Sequence, residues 1–164
     1  MRPALEQLKN RHDLIGVEIG VLYGLNAFDF LENLDIKKAY LIDPYTACSP
    51  IKLEKVEKEA HERLGPYKNK IEWIRLPSSE AINNFDDESL DFVYIDGVHR
   101  YAFVSQDISL YYLKVKKGGL VSGHDYDHNE WTAVIPAVDD YVKKHNLILN
   151  TQKGSNRTDW WIWK

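Results

Sequence analysis

Short apolar runs alternate with amphipathic stretches along most of the chain. The runs fall at 15–19, 39–42, 71–76, 90–95, 119–122 and 147–150. Several are apolar at consecutive positions, the pattern of strands buried on both faces of a parallel sheet. Between them the period changes to that of helices. Ser49-Pro50 predicts a helix start, a serine N-cap with proline at the first helical position, and Gly65-Pro66 a stop, with Leu53, Val56, Ala60 and Leu64 on one face. A second helix is predicted over 101–117, carrying Val104, Ile108, Tyr111 and Val115 inward, with a basic last turn closed by Gly118-Gly119. A third is predicted over 133–145 with Val134, Val138, Tyr141 and Val142 inward. The chain closes on Trp160-Trp161-Ile162-Trp163, which suits an antiparallel pairing with the run at 147–150. Strands alternating with helices predict a doubly wound α/β sheet, whose ligands sit at the carboxyl ends of the strands.

Length adds that 164 residues make one domain, 1–164, large enough to fold without disulfides or a structural metal. Cys48 is the one cysteine, so no intrachain disulfide forms, and a reducing compartment is expected. The net charge of −4, without a basic stretch beyond Lys116-Lys117, argues against a nucleic-acid partner. The N-terminal residues lack the apolar core of a secretory signal, and the apolar stretch 14–25 is broken by Glu18 and too short for a bilayer. A soluble, cytoplasmic protein with no membrane partner is the expectation.

The candidate chemistry lies at the predicted strand ends. Glu18-Ile19-Gly20-Val21-Leu22-Tyr23-Gly24 forms a strand-to-helix turn with two glycines in place of the three of a dinucleotide fingerprint. Taken alone, such a pair of glycines fits a packing turn equally well. Asp43 ends the second strand, where a carboxylate can accept from ribose hydroxyls. Together the turn and this acid suggest an adenosine-type ligand without phosphates. Asp96-Gly97-Val98-His99 ends the fourth strand, and Gly123-His124-Asp125-Tyr126 the fifth. Asp96, His124 and Asp125 form a candidate metal set whose oxygen-rich chemistry favours Mg²⁺ or Mn²⁺. His99 is a candidate general base. The pair His124-Asp125 also fits a purely structural hydrogen bond. Asp127 and His128 read as loop residues, Trp131 as an acceptor platform or a loop pin, and Cys48 as inert.

These segments in this order resemble a class I S-adenosylmethionine-dependent methyltransferase, and more narrowly the divalent-metal-dependent O-methyltransferases of the macrocin and mycinamicin type, which act on sugars. The resemblance runs from about Gly16 to Tyr141. It implies a Rossmann-like, mostly parallel seven-stranded sheet with an antiparallel C-terminal strand. It also implies S-adenosylmethionine as cofactor, with Glu18 and Gly20 at its methionine end, Gly24 in the turn and Asp43 on its ribose. Ser78, Ser79 and Glu80 would lie by the adenine, and Asp96 would border the cofactor as well as the metal. His99 matches the catalytic histidine, acting with Asp96, and the acceptor would be a small-molecule hydroxyl. Leu22 departs from the pattern where many relatives have glycine, as does His124 where aspartate is usual. Little sequence precedes the first strand to cover the acceptor, so a homodimer is one expected way to complete the pocket. Two rival functions remain. One is a non-catalytic cofactor-binding module of the same fold. The other is a metal-dependent hydrolase built on His99, His124, Asp125 and His128.

Overall fold

The computed structural model describes residues 1–46, 53–127, 133–155 and 157–164. The predicted helix start at Ser49-Pro50, Cys48, His128 and Trp131 lie outside the described residues. Seven strands form one sheet: β1 (Leu14–Ile19), β2 (Ile36–Ile42), β3 (Ile71–Ile74), β4 (Leu90–Ile95), β5 (Val115–Gly123), β6 (Asn150–Lys153) and β7 (Thr158–Trp163). Their spatial order is β3-β2-β1-β4-β5-β7-β6, parallel through β5, with β7 antiparallel between β5 and β6. The chain reverses direction across the sheet between β1 and β4, the crevice where an open α/β sheet binds ligands.

Helices cover both faces because strand residues alternate between them. Val17, Ile19, Val93, Ile95, Val121, Trp160 and Ile162 pack against α5 (Tyr101–Lys114) and α6 (Val134–His145). Leu14, Leu41, Phe92, Tyr94, Leu120 and Trp161 face α1 (Pro3–Glu6) and α2 (Leu25–Asn33), with Leu64 reaching in from α3 (Leu53–Leu64). In register, Glu18, Tyr94, Ser122 and Trp161 form one row across β1, β4, β5 and β7. Their side chains therefore share the face that α1 and α2 cover. A short α4 (Ser78–Ala81) follows β3. No described helix is long and apolar enough to cross a membrane.

Three predicted boundaries move. The helix over 101–117 stops at Lys114, and β5 begins at Val115 rather than at 119. Val115 pairs with Leu90 while Leu120 pairs with Phe92, so residues 116–119 are a bulge within a strand. A Cβ on Gly119 would lie 2.8 Å from the Asp91 carbonyl oxygen, so the glycine serves strand contact rather than a helix end. Lys116 does not cap the helix either; its Nζ lies 2.8 Å from Asp91 Oδ1. The last hairpin uses 150–153 in place of 147–150, because Leu147 and Leu149 pack against the α5–α6 layer. The N-terminal residues, given no element from sequence, form α1 with Ala4, Leu5 and Leu8 fully buried. Replacing Leu5 with alanine should cost about 2–5 kcal/mol of unfolding free energy. Leu25→Ala, at a residue 61% exposed, should change it by less than about 0.5 kcal/mol. Urea unfolding of the two variants measures both.

Candidate active site

The turn after β1 is held by backbone contact. Gly20 has φ +85°, and a Cβ there would lie 2.2 Å from the Asp96 carbonyl oxygen, so only glycine lets the β1 and β4 exits meet. Gly20 N–H donates to the Ile42 carbonyl at 2.9 Å, and Asp96 N–H donates to the Ile19 carbonyl at 2.8 Å. Three strand ends are thereby tied together. Asp43 Oδ2 accepts from the amides of Val21 (3.0 Å) and Leu22 (2.9 Å), and Oδ1 from that of Tyr45 (2.9 Å). The Tyr45 hydroxyl donates to the Leu22 carbonyl at 2.8 Å. Asp43, expected on a ribose, thus also holds the turn in shape. Gly24 serves as the N-cap of α2, away from the cavity wall.

A cavity of about 750 Å³ opens over these strand ends, within the range of cofactor sites. Glu18, Gly20, Asp43, Ser78, Ser79, Asp96 and His99 all line it, whereas Glu80 does not. Glu18 is 1% exposed, with Oε1 accepting from Asn26 Nδ2 at 2.8 Å. Glu18 Oε2 and Asn26 Oδ1 are buried without a partner. Burial pushes the Glu18 carboxyl up to about 8, against the hydrogen bond from Asn26 and the charge of Arg2. Two unpartnered acceptors in a cavity wall suit a ligand that brings donors or positive charge.

At the β3 side, Ser78 Oγ donates to Asp107 Oδ1 at 2.5 Å, and the Tyr111 hydroxyl to the Ser78 carbonyl at 2.9 Å. Burial raises the Asp107 carboxyl to about 6. Asp107 was not among the residues picked from sequence. Its position between Val104, Ile108 and Tyr111, a carboxylate on the apolar face of a helix, was the available signal. Asn26 and Arg2 are further cavity residues not picked out.

At the cavity edge His99 stands between two carboxylates. Its Nε2 lies 3.2 Å from Asp96 Oδ1 and its Nδ1 3.0 Å from Asp125 Oδ2. The hydrogen bond to Asp96, followed by the charges of Asp96 and Asp125, raises the imidazole above its ordinary value in spite of partial burial. Arg157 Nε lies 3.5 Å from the other oxygen of Asp125. One ligand atom from each of Asp96, His99 and Asp125 falls within 4.8 Å of the others.

His124, expected beside them, is 7% exposed and engaged elsewhere. Its Nδ1 lies 3.0 Å from Asp159 Oδ1, while Arg2 Nη1 lies 2.9 Å from Nε2. Arg2 Nη1 also lies 3.2 Å from Nδ1, so the guanidinium rests against the ring while Asp159 holds its Nδ1 edge. The group whose ligand atoms converge is Asp96, His99 and Asp125, without His124. Asp127 accepts from the Thr158 amide and hydroxyl at 2.9 and 2.8 Å and fixes the start of β7.

A family model described as a methyltransferase domain matches residues 17–126. The chain belongs to this methyltransferase family. An uncharacterised protein of Acanthamoeba polyphaga mimivirus is 34% identical over 146 residues, covering 84% of this chain and 65% of the relative. The chain therefore spans about two-thirds of that relative's length. Among solved structures, a precorrin-6y C5,15-methyltransferase from Geobacter metallireducens matches with TM-score 0.73 at 12% identity, over 98% of this chain and 85% of that one. A SAM-dependent O-methyltransferase from Thermotoga maritima matches with TM-score 0.73 at 12% identity, over 98% and 62%. An rRNA methylase from Streptococcus thermophilus matches with TM-score 0.70 at 17% identity, over 98% and 92%. The three share the Rossmann-like methyltransferase fold and differ in what their names say they methylate.

Glu18 generates a prediction about stability. Its carboxyl is neutral in both states below about 4.5, and from there to about 8 only the unfolded chain ionises. Stability is therefore lost as pH rises across that window, on the order of a few kcal/mol. Relative to wild type, Glu18→Gln should gain stability between pH 5 and pH 8.5. Urea midpoints at the two pH values measure the change.

Proposed function

We propose that this protein transfers a methyl group from S-adenosylmethionine to a hydroxyl oxygen of a small molecule, with His99 as general base. The observation that carries the reading is His99 held between Asp96 and Asp125 at the edge of a cavity whose wall includes Glu18 and Asp43. The cofactor fits this wall: Glu18 Oε2 offers a buried acceptor for an ammonium, and Asp43 keeps acceptor capacity for ribose hydroxyls beside its amide bonds. When bound, S-adenosylmethionine supplies an electrophilic methyl group on a sulfonium sulfur.

The residues of this chain divide the remaining work. Ser78 and Ser79 line the same cavity, Ser78 being held by Asp107, and fit the base of an adenosine. Asp96 accepts from His99 Nε2–H and Asp125 from Nδ1–H, which fixes the plane of the ring. In the neutral ring, with Asp125 still holding Nδ1–H and Nε2 turned from Asp96 to the acceptor, His99 takes the hydroxyl proton at Nε2 as the oxygen attacks, a contribution of about 10²–10⁴-fold. The raised pKa makes the free base scarcer below neutrality, so the rate should climb with pH through a value above 6.5.

A second reading is favoured by the same cluster. Asp96, His99 and Asp125 offer two carboxylates and an imidazole to one ion, a set suited to Mg²⁺ or Mn²⁺. Such an ion would lower the pKa of the acceptor oxygen in place of the base. The two roles of His99 exclude one another. Methyl transfer that survives chelation supports the base; loss on chelation and rescue by Mg²⁺ or Mn²⁺ supports the metal. A non-catalytic binding module predicts cofactor binding with no transfer to any hydroxyl.

Titration calorimetry with S-adenosylhomocysteine should give micromolar binding. Asp43→Ala should weaken it by about 10-fold or more through the lost charged hydrogen bonds and the loosened turn. In a screen of sugar and catechol acceptors, His99→Gln should lower kcat by about 10²–10⁴-fold. The same variant should keep S-adenosylhomocysteine affinity within about 2-fold. Equal losses in binding and turnover for Asp43→Ala and His99→Gln would sink this division of roles.

A further inference from the structure

Arg2 is a cavity residue that the mechanism above does not use, and unlike Arg100, which also lines the cavity, it is held by buried partners. It is the N-cap of α1, in extended backbone, with Pro3 opening the helix. The helix is held to the sheet by Ala4 and Leu5, both fully buried, and by the Ala4 amide donating to Asp159 Oδ2 at 3.2 Å. Asp159 Oδ1 also accepts from the Tyr94 hydroxyl at 3.0 Å and from His124 Nδ1 at 3.0 Å. Arg2 Nη1 lies against the His124 ring, 2.9 Å from Nε2 and 3.2 Å from Nδ1. A run of buried groups from β7 to the end of β5 thus holds one nitrogen of the guanidinium of a residue that lines the cavity, and a guanidinium has further donors to offer. Among the described residues no carboxylate makes an ion pair with Arg2. Glu18 lines the same cavity, near enough for the charge of Arg2 to act on it.

We propose that Arg2 binds the α-carboxylate of the cofactor's amino-acid end, opposite Glu18, which receives its ammonium. The assignment rests on the cofactor reading above. A guanidinium presents parallel donors that match a carboxylate, and a buried acid with an unpartnered oxygen matches an ammonium. Cavity walls that carry one of each sort distinguish a zwitterion from an uncharged thioether.

Three probes separate this from a role for Arg2 in holding α1 alone. S-Adenosylhomocysteine carries the whole amino-acid end, its decarboxylated analogue lacks only the carboxylate, and 5′-methylthioadenosine lacks both charged groups. Calorimetry on wild type, Arg2→Ala and Arg2→Gln should show S-adenosylhomocysteine weakened about 10–100-fold in both variants. Affinity for the other two probes should stay within about 2-fold. Arg2→Gln retains a donor for His124 and so preserves α1 if the alanine variant loosens it. Equal weakening of all three probes in both variants, or unchanged S-adenosylhomocysteine binding, overturns the assignment of Arg2 while leaving the cofactor reading intact. Wild-type protein that binds none of the probes overturns that reading and this assignment together.

Discussion

The contact between Gly20 and the Asp96 carbonyl is the constraint on which the cavity depends. With no side chain at Gly20, the exits of β1 and β4 close to within a distance that any Cβ would violate. The backbone then crosses over: Gly20 bonds to the end of β2, and Asp96 to the end of β1. Glu18, Asp43 and Asp96 are consequently carried on one rigid rim rather than on separate loops. Asp43 strengthens the rim by accepting three backbone amides. An enzyme whose task is alignment gains most from such rigidity, because small displacements of a reacting pair are costly.

The second organising element is the buried polar chain on the α1 face. Asp159 has no solvent exposure and collects donors from Ala4, Tyr94 and His124. A buried carboxylate without such partners would be strongly destabilising. Here each of its partners sits on a different element, so the charge that has to be satisfied also fixes where α1, β4 and β5 meet. His124 passes the arrangement on to Arg2 and stands outside the cluster of Asp96, His99 and Asp125.

Much of this was legible in sequence. Consecutive apolar runs at 15–19 and 90–95 marked the central strands, and the carboxylates one position beyond β2 and β4 marked the rim. What misled was local ambiguity. Lys116-Lys117-Gly118-Gly119 has the composition of a helix end, yet the buried side chain of Val115 had to pair with Leu90, and the glycines became a strand bulge. His124 stands next to Asp125 in sequence and its Nε2 stays 3.9 Å from Asp125 Oδ1, but Asp159, thirty-five positions away, captured Nδ1 at 3.0 Å. Arg2 was hidden for a related reason. Nothing beside it in sequence indicates a cavity, since its placement comes from a partner on the last strand.

That long-range tie has a temporal meaning. Ala4 meets Asp159 across 155 positions, and the tryptophans that follow face opposite layers, Trp160 under α5 and α6 and Trp161 under α1 and α2. During synthesis the parallel strands can assemble as they emerge, but α1 has no acceptor to dock on until the final hairpin is made. The wall of the cavity that contains Arg2 is therefore completed last, by residues from the two ends of the fold. The rest of the wall, from Glu18 to Asp107, belongs to the parallel strands and their exits, so a placed guanidinium, rather than the pocket itself, reports that the final hairpin has joined the sheet.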